Sequence, residues 1–421
     1  MNSPERKPPG FAEAVRLWLK IGCIGFGGPS GQIAILHREV VEHRKWIGEA
    51  EFVGALRFCM LLPGPEAQQL ATWIGWRLHG IRGGVIAGTL FVLPAALLLW
   101  GFGLLYVLGR DWSLLHAFFE GLKPAVAAIV VSALWRITRR TVTTLQLGIV
   151  ALAAFALFLF HASYPAVVIG FGLIGCFALP KGSGGSADVL PDLSESWWGS
   201  LRATIAICLI WLLPVAGFIC WMGPEALPVK IALFFAKVAV LSFGGAYAAL
   251  SYVSLHAPGD WGWITSGEML DGLGLAETTP GPLLITLQFI AFLAAYKSPG
   301  ALAPLLAATL GSLAALWSLF LPSFLWIFSF APHMDRLVAH RRMGGALTAI
   351  GAVATAVIAH LALWFSGSVF MTQSSAGRSL QPIPLAMALV VLALLQTKCI
   401  GIAPLILLSG VAGVFVELLN S

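Results

Sequence analysis

The chain has 421 residues, of which 58% are hydrophobic and only 10% are charged, with 25 Lys+Arg against 19 Asp+Glu. A soluble protein has about a quarter of its residues charged, so these charges are too few to cover two or three water-solvated domains, and lipid must do most of the solvating. The cationic excess is not a nucleic-acid footprint, because no basic cluster with interleaved aromatics occurs; most cations sit in short loops between apolar runs, as in multi-pass proteins with basic cytoplasmic loops.

Met1 to Gly10 is polar, and the segment after it contains Glu13, Arg16 and Lys20. This is no signal-peptide core and has no small-residue cleavage site, so the segment is expected to be retained. The first interruption of apolar sequence is Gly25-Phe26-Gly27-Gly28-Pro29, followed by the basic stretch His37 to Lys45. The second is Pro63-Gly64-Pro65. Long apolar runs then follow at Gly83–Gly109, Leu114–Leu134, Leu145–Phe160, Pro165–Leu179 and Ala203–Trp221. Later runs are Ala301–Phe330, Gly344–Phe365, Ile383–Leu395 and Ile400–Leu419. About 20 apolar residues cross a bilayer core of about 30 Å, so these runs predict membrane helices. Residues 181–198 turn polar and Gly/Ser-rich, a linker that leaves one unit at 1–180 and a second at 199–421. The six cysteines (Cys23, Cys59, Cys176, Cys208, Cys220, Cys399) lie in or beside apolar runs without CxxC or metal spacing, and read as packing residues.

The halves repeat. Lys237 lies 217 positions after Lys20, and the same shift carries Phe26-Gly27-Gly28 onto Phe243-Gly244-Gly245, Trp46 onto Trp263, Glu51 onto Glu268 and Pro63-Gly64-Pro65 onto Pro280-Gly281-Pro282. No gap is needed from Lys20 to Leu70; the matched part of the second unit starts at about residue 228. Leu93-Pro94 then matches Leu321-Pro322 at a shift of 228. Five apolar runs separate the two matched regions, an odd number, so the second repeat should enter the membrane upside down. Charge agrees: His37 to Lys45 is basic, while its counterpart Ser254 to Gly262 has no Lys or Arg. The predicted fold is therefore an all-α integral membrane bundle of two inverted-topology repeats with broken or re-entrant helices. Its N-terminus is placed in the cytoplasm, as in a multi-pass membrane protein with basic cytoplasmic loops.

A Pro-Gly-Pro inside an apolar run stops a helix, and free backbone groups at membrane depth are tolerated only where protein or a polar cavity satisfies them. Helices restarting after each break would offer N-terminal amides and a positive dipole end, which suits an anion. The candidate binding residues are accordingly Phe26, Gly27, Gly28, Pro63, Gly64, Pro65, Gly244, Gly245, Pro280, Gly281 and Pro282, with Gln68, Gln69, Thr278 and Thr279 as uncharged donors and Lys20, Lys123 and Lys237 as counter-charges. The bland readings are kinks and close packing for the breaks, and snorkelling to the interface for the lysines. Glu66 and Glu277, flanking the two Pro-Gly-Pro breaks, are candidates for proton coupling, as are Glu51 and Glu268, which could equally cap the following helix. No HExxH, paired-Asp, Walker or GxSxG motif is present, so an enzyme is not expected, nor is a cofactor or metal ion. With no nucleotide-binding domain, active transport would have to draw on an ion gradient.

At these residues the sequence resembles the chromate ion transporter family in its long, two-domain form. The resemblance is carried by Phe26-Gly27-Gly28-Pro29, Gly31-Gln32-Ile33-Ala34, Leu61 to Thr72 and Lys123-Pro124-Ala125-Val126. In the second half it is carried by Phe243 to Ala248 and Gly274 to Leu283. It implies export of chromate from the cytoplasm across the inner membrane, use of the proton-motive force, and chromate resistance. Sulfate, a tetrahedral dianion of similar size, is the competing cargo, so a sulfate or other oxyanion carrier is the alternative; a passive anion channel is the alternative of another class. The sequence leaves the oligomeric state open, a dimer included.

Overall fold

The computed structural model describes residues 9–26, 28–109, 111–178, 197–242, 245–334, 341–374, 377–397 and 400–420. The expected linker at 181–198 lies outside these except for Trp197 and Trp198, which open a helix. Among the described residues the chain is helical throughout apart from one short β-hairpin, an all-α polytopic membrane protein. Six helices among the described residues are long and apolar enough to cross a bilayer.

The first repeat opens with α1 (Phe11–Ile24) and α2 (Gly28–His37), the latter ending in a π-helical turn at Arg38–His43. Next come α3 (Glu49–Cys59) and α4 (Glu66–Leu108), then α5 (Ser113–Thr141), α6 (Leu145–Leu159) and α7 (Tyr164–Ala178). α8 (Trp197–Met222) joins the halves. The second repeat follows the same order: α9 (Leu227–Leu241), α10 (Ala246–Leu255) with a π turn at His256–Asp260, and α11 (Ser266–Thr278). It continues with α12 (Thr286–Lys297), α13 (Pro304–Phe330), α14 (Arg341–Phe370), α15 (Pro382–Thr397) and α16 (Ile402–Asn420). The hairpin of Met371–Ser374 and Gly377–Leu380, with Met371 opposite Leu380, was not anticipated from the sequence.

Sequence explains the breaks between elements. α4 is one element in name but two in geometry: His79 and Gly80 leave helical space, Gly80 at φ +63°, so residues 66–78 and 81–108 form separate arms. The apolar run recognised at Gly83 is therefore the outer arm of a helix that begins at the first Pro-Gly-Pro. In the second repeat the same junction is a complete interruption, with Gly300 at φ +62° between α12 and α13.

α3 and the inner arm of α4 form a re-entrant hairpin. Arg77 Nε donates to Glu51 Oε1 at 2.8 Å, so the hairpin starts and ends on one side. The second repeat copies the device with Lys297 donating to Glu268 at 2.6 Å, which joins the ends of α11 and α12. Glu268 also completes a capping box with Thr265 at the start of α11.

The two repeats interlock. α5 packs on α15 and α16 of the other repeat, while α14 packs on α6 and α7. Small residues permit the close crossing of α5 and α16: a side chain at Gly121 would meet the backbone of Ser409 and Gly413, and Ser409 Oγ donates to Gly121 O at 2.6 Å. α8 lies outside this core against α13, with Trp317 Nε1 donating to Trp211 O at 3.1 Å.

Candidate functional site

The helix breaks meet. Gly281 N donates to Gly25 O at 3.0 Å, and Gly64 N donates to Ser242 O at 3.3 Å. These are one contact made twice, because Ser242 is 217 positions after Gly25 and Gly281 is 217 after Gly64. Each Pro-Gly-Pro turn thus docks on the first break of the opposite repeat. The glycines match in backbone shape as well: Gly64 and Gly281 sit at φ +123° and +119°, Gly28 and Gly245 at +66° and +89°. Those angles are costly for a residue with a Cβ. Tyr247, in the first turn of α10, donates its hydroxyl to Glu277 Oε1 at 3.3 Å, linking the two contacts into one region.

Polar side chains fill this region. Gln32 Nε2 donates to Gly25 O at 3.1 Å and to Gly281 O, and Gln69 Nε2 donates to Pro63 O at 2.7 Å. Gln32, Gln68 and Gln69 are fully buried, and the Oε1 of each has no hydrogen-bond partner among the described residues. A buried amide oxygen without a donor is costly. Glu66 stands at the start of α4, and its Oε1 lies 3.5 Å from where a side chain at Gly245 would begin. The first turns of α2, α4 and α10 and the turn ahead of α12 all begin here, with Pro65, Gly245 and Pro282 at the cap positions. Their amides and positive dipole ends are what an anion needs in place of water.

Pro63, Gly64, Pro65, Pro280, Gly281 and Pro282 are all buried at the meeting point. Phe26 is 42% exposed beside it. Gly27 and Gly244, with Phe243, lie outside the described residues. Thr278 and Thr279 spend their protons on their own helix, donating to Leu275 O at 2.8 Å and Ala276 O at 3.0 Å, and keep their lone pairs.

The expected lysines are elsewhere. Lys20 is half exposed and donates to Glu39 Oε1 at 2.9 Å; Arg44 bonds the same carboxylate, which is 4% exposed. Burial pushes the Glu39 carboxyl up, but its hydrogen bonds to Lys20 and Arg44 outweigh that and hold it below the ordinary value. Lys237 is exposed, with its Nζ 5.8 Å from the centre of the Tyr252 ring. Lys123 bonds Glu120 and lies 3.9 Å from Asp271, away from the breaks. Glu51 and Glu268 close the hairpin mouths, not the tips.

Gln32, Tyr247 and Arg136 are not among the binding residues expected from the sequence, although Gln32 and Tyr247 lie in the stretches that carry the family resemblance. Arg136, on α5, interacts electrostatically with both Tyr247 and Glu277. A signal was available for Gln32, an uncharged polar residue one helical turn past a glycine break. The approach of Arg136 across two elements has none.

The packing around the site is lopsided. In α11, Gly274 and Glu277 are buried, and a side chain at Gly274 would meet Leu122 and Val126 of α5 at 3.2 to 3.3 Å. Their counterparts, Arg57 in α3 and Met60 just past its end, are exposed, Met60 by 52%. The second-repeat hairpin is sealed against the bundle; the first-repeat hairpin is not.

The family model for chromate transporters matches residues 12–176 and 229–414, most of the chain in two pieces. The chain belongs to the chromate transporter family. Its relatives in that family include a probable chromate transport protein of Synechococcus elongatus, 30% identical over 82% of this chain and 83% of that one. The chromate transport protein of Pseudomonas aeruginosa is 30% identical over 82% of this chain and 78% of its own length. That of Cupriavidus metallidurans is 29% identical over 94% and 93%. No solved structure matches.

Proposed function

We propose that this chain exports chromate from the cytoplasm across the inner membrane, driven by the proton-motive force, and so confers chromate resistance. One observation carries the reading: four helix breaks converge, and the helices leaving them bring their N-terminal ends to one buried polar region. A dianion there is held by backbone amides, by the second amide N–H of Gln68 and of Gln69, and by the charge of Arg136, whereas Thr278 and Thr279, with their protons spent on their own helix, offer it no donor. Glu66 and Glu277 stand at the same point, and proton binding to either carboxylate changes the charge that the dianion meets.

The lopsided packing gives the transport step. Arg77 at the mouth of the first-repeat hairpin and Arg139 and Arg140 at the end of α5 are separated by two crossings, the outer arm of α4 and α5, and so fall on one side, which the positive-inside rule makes the cytoplasm. The loose hairpin there admits the anion from within, and the sealed hairpin closes the outer side. Exchanging the two packings between pseudo-equivalent hairpins would open the site outward. An inside-negative potential favours outward movement of a dianion by roughly 2.3 kcal/mol per charge per 100 mV.

Chromate uptake into everted membrane vesicles, with and without an uncoupler, tests this. Uncoupler-sensitive uptake is expected. Absence of chromate flux with retained sulfate flux would favour the sulfate carrier, and flux that follows the membrane potential but ignores a pH gradient at clamped potential a passive channel.

A further inference from the structure

Outside the meeting point of the breaks, a second group of charges lies where α11 seals against α4 and α5. Asp271, 4% exposed, points from α11 into this contact. Tyr106 of α4 donates its hydroxyl to Asp271 Oδ2 at 2.8 Å. Asp271 Oδ1 has no hydrogen-bond partner among the described residues. The nearest cation, Lys123 of α5, stands 3.9 Å from Oδ1 and bonds Glu120 instead. Glu268, on the same helix, is paired with Lys297 of α12. Of the other helices packed on α11, α16 carries only Glu417 and α14 only Arg341, Arg342 and His360 as titratable or charged residues. The counterpart of Asp271 in the first repeat is Gly54, so the loose hairpin has no such group.

A buried carboxylate with one satisfied oxygen, one empty oxygen and a cation held just out of bonding reach has two stable arrangements. Ionised, it accepts from Tyr106 and attracts Lys123 across 3.9 Å, pinning α11 to both α4 and α5. Protonated, it no longer attracts Lys123, and the pin to α5 is lost.

We propose that Asp271 is a proton-binding site that couples transport to the proton gradient by locking and releasing the α11–α12 hairpin, with Tyr106 and Lys123 as its positioning residues. This rests on the export reading above. A proton from the outer side adds to the Asp271 carboxylate, Lys123 stays with Glu120, and the sealed hairpin can part from α5. Loss of that proton reseals it. The device is present on one gate only, so the outer opening alone responds to protons directly.

The test uses everted vesicles, whose lumen corresponds to the outer side, with the membrane potential clamped and luminal pH varied. Wild-type chromate uptake should rise as the lumen is acidified. With Asp271→Asn, whatever flux remains should lose its response to luminal pH. Tyr106→Phe removes a donor that favours the ionised form, so the midpoint of the response should move to higher pH by about one unit. A wild-type-like luminal pH response in Asp271→Asn overturns the proposal, as does an unmoved midpoint in Tyr106→Phe if the Asn variant does not reach the membrane. Wild-type flux with no luminal pH response also overturns it while leaving the export reading in place. Absence of any wild-type chromate flux overturns the export reading instead.

Discussion

Replacing Gly64 or Gly281 with alanine should stop transport while leaving the protein in the membrane. Both residues sit near φ +120°, where an L side chain costs about 1–3 kcal/mol. At Gly64 the new methyl would also lie 2.9 Å from Gln69 Nε2 and 3.2 Å from Ser323 Oγ, displacing the amide that donates to Pro63 O. Losing that bond adds about 1 kcal/mol. Together these give about 2–4 kcal/mol against the backbone that docks on Ser242, or about thirtyfold to a thousandfold fewer competent molecules. At Gly281 the methyl would strike Ala95 Cβ, so Ala95→Gly should relieve part of the defect. Gly101 is the control: it lies within α4 with a negative φ and open space where a Cβ would stand, nothing coming within 4 Å, and Gly101→Ala should transport normally. The assay is chromate uptake into everted vesicles, normalised to membrane-inserted protein by immunoblot. Wild-type rates in both Gly64→Ala and Gly281→Ala would show that the crossed Pro-Gly-Pro contacts do not form the transport site.

Further outcomes are expected. Single cysteines at His43 and Asp260 should react with an impermeant reagent from opposite faces of the membrane; reaction from one face would refute the inverted arrangement. Arg136→Gln should reduce chromate resistance far more than Lys237→Gln at equal expression, because Arg136 acts on the Tyr247–Glu277 pair and Lys237 is exposed beside Tyr252; equal resistance in both would remove Arg136 from the site. Exchanging the charges of Glu51 and Arg77 should recover transport lost in either single reversal, since the pair closes a hairpin mouth, and a double variant no better than the worse single would argue against a clamp. The depressed Glu39 carboxyl contributes stability that is present above its unfolded value of about 4.5 and lost as pH falls through its lower folded value. Lys20→Met should therefore bring acid unfolding of the detergent-solubilised protein to a higher pH than in wild type, and an unchanged acid midpoint would refute the Lys20–Glu39–Arg44 account.

Sequence alone determined the solvent and the duplication, and it predicts the orientation of the second copy. Too few charges for a water-facing surface made the chain a membrane protein, and one ungapped register from Lys20 to Leu70 made it a repeat. An odd number of apolar runs between the matched regions predicts that the second repeat is inverted. The breaks were legible as well, because proline and glycine act on the backbone where they stand, whatever their neighbours. Only the tertiary structure decided which break meets which: Gly25 with Gly281, and Ser242 with Gly64, are pairings across hundreds of residues that no local pattern encodes. It also decided the charges. Lys20, Lys123 and Lys237 look alike as isolated cations in apolar sequence, but their partners lie on other elements, so one joins Glu39, one stands beside Asp271 and one faces outward over Tyr252. Asp271 and Arg136 gave no signal of their own, because what distinguishes them is the helix packed against each. A backbone break is a property of a few consecutive residues, whereas the partner of a charge is a property of the fold.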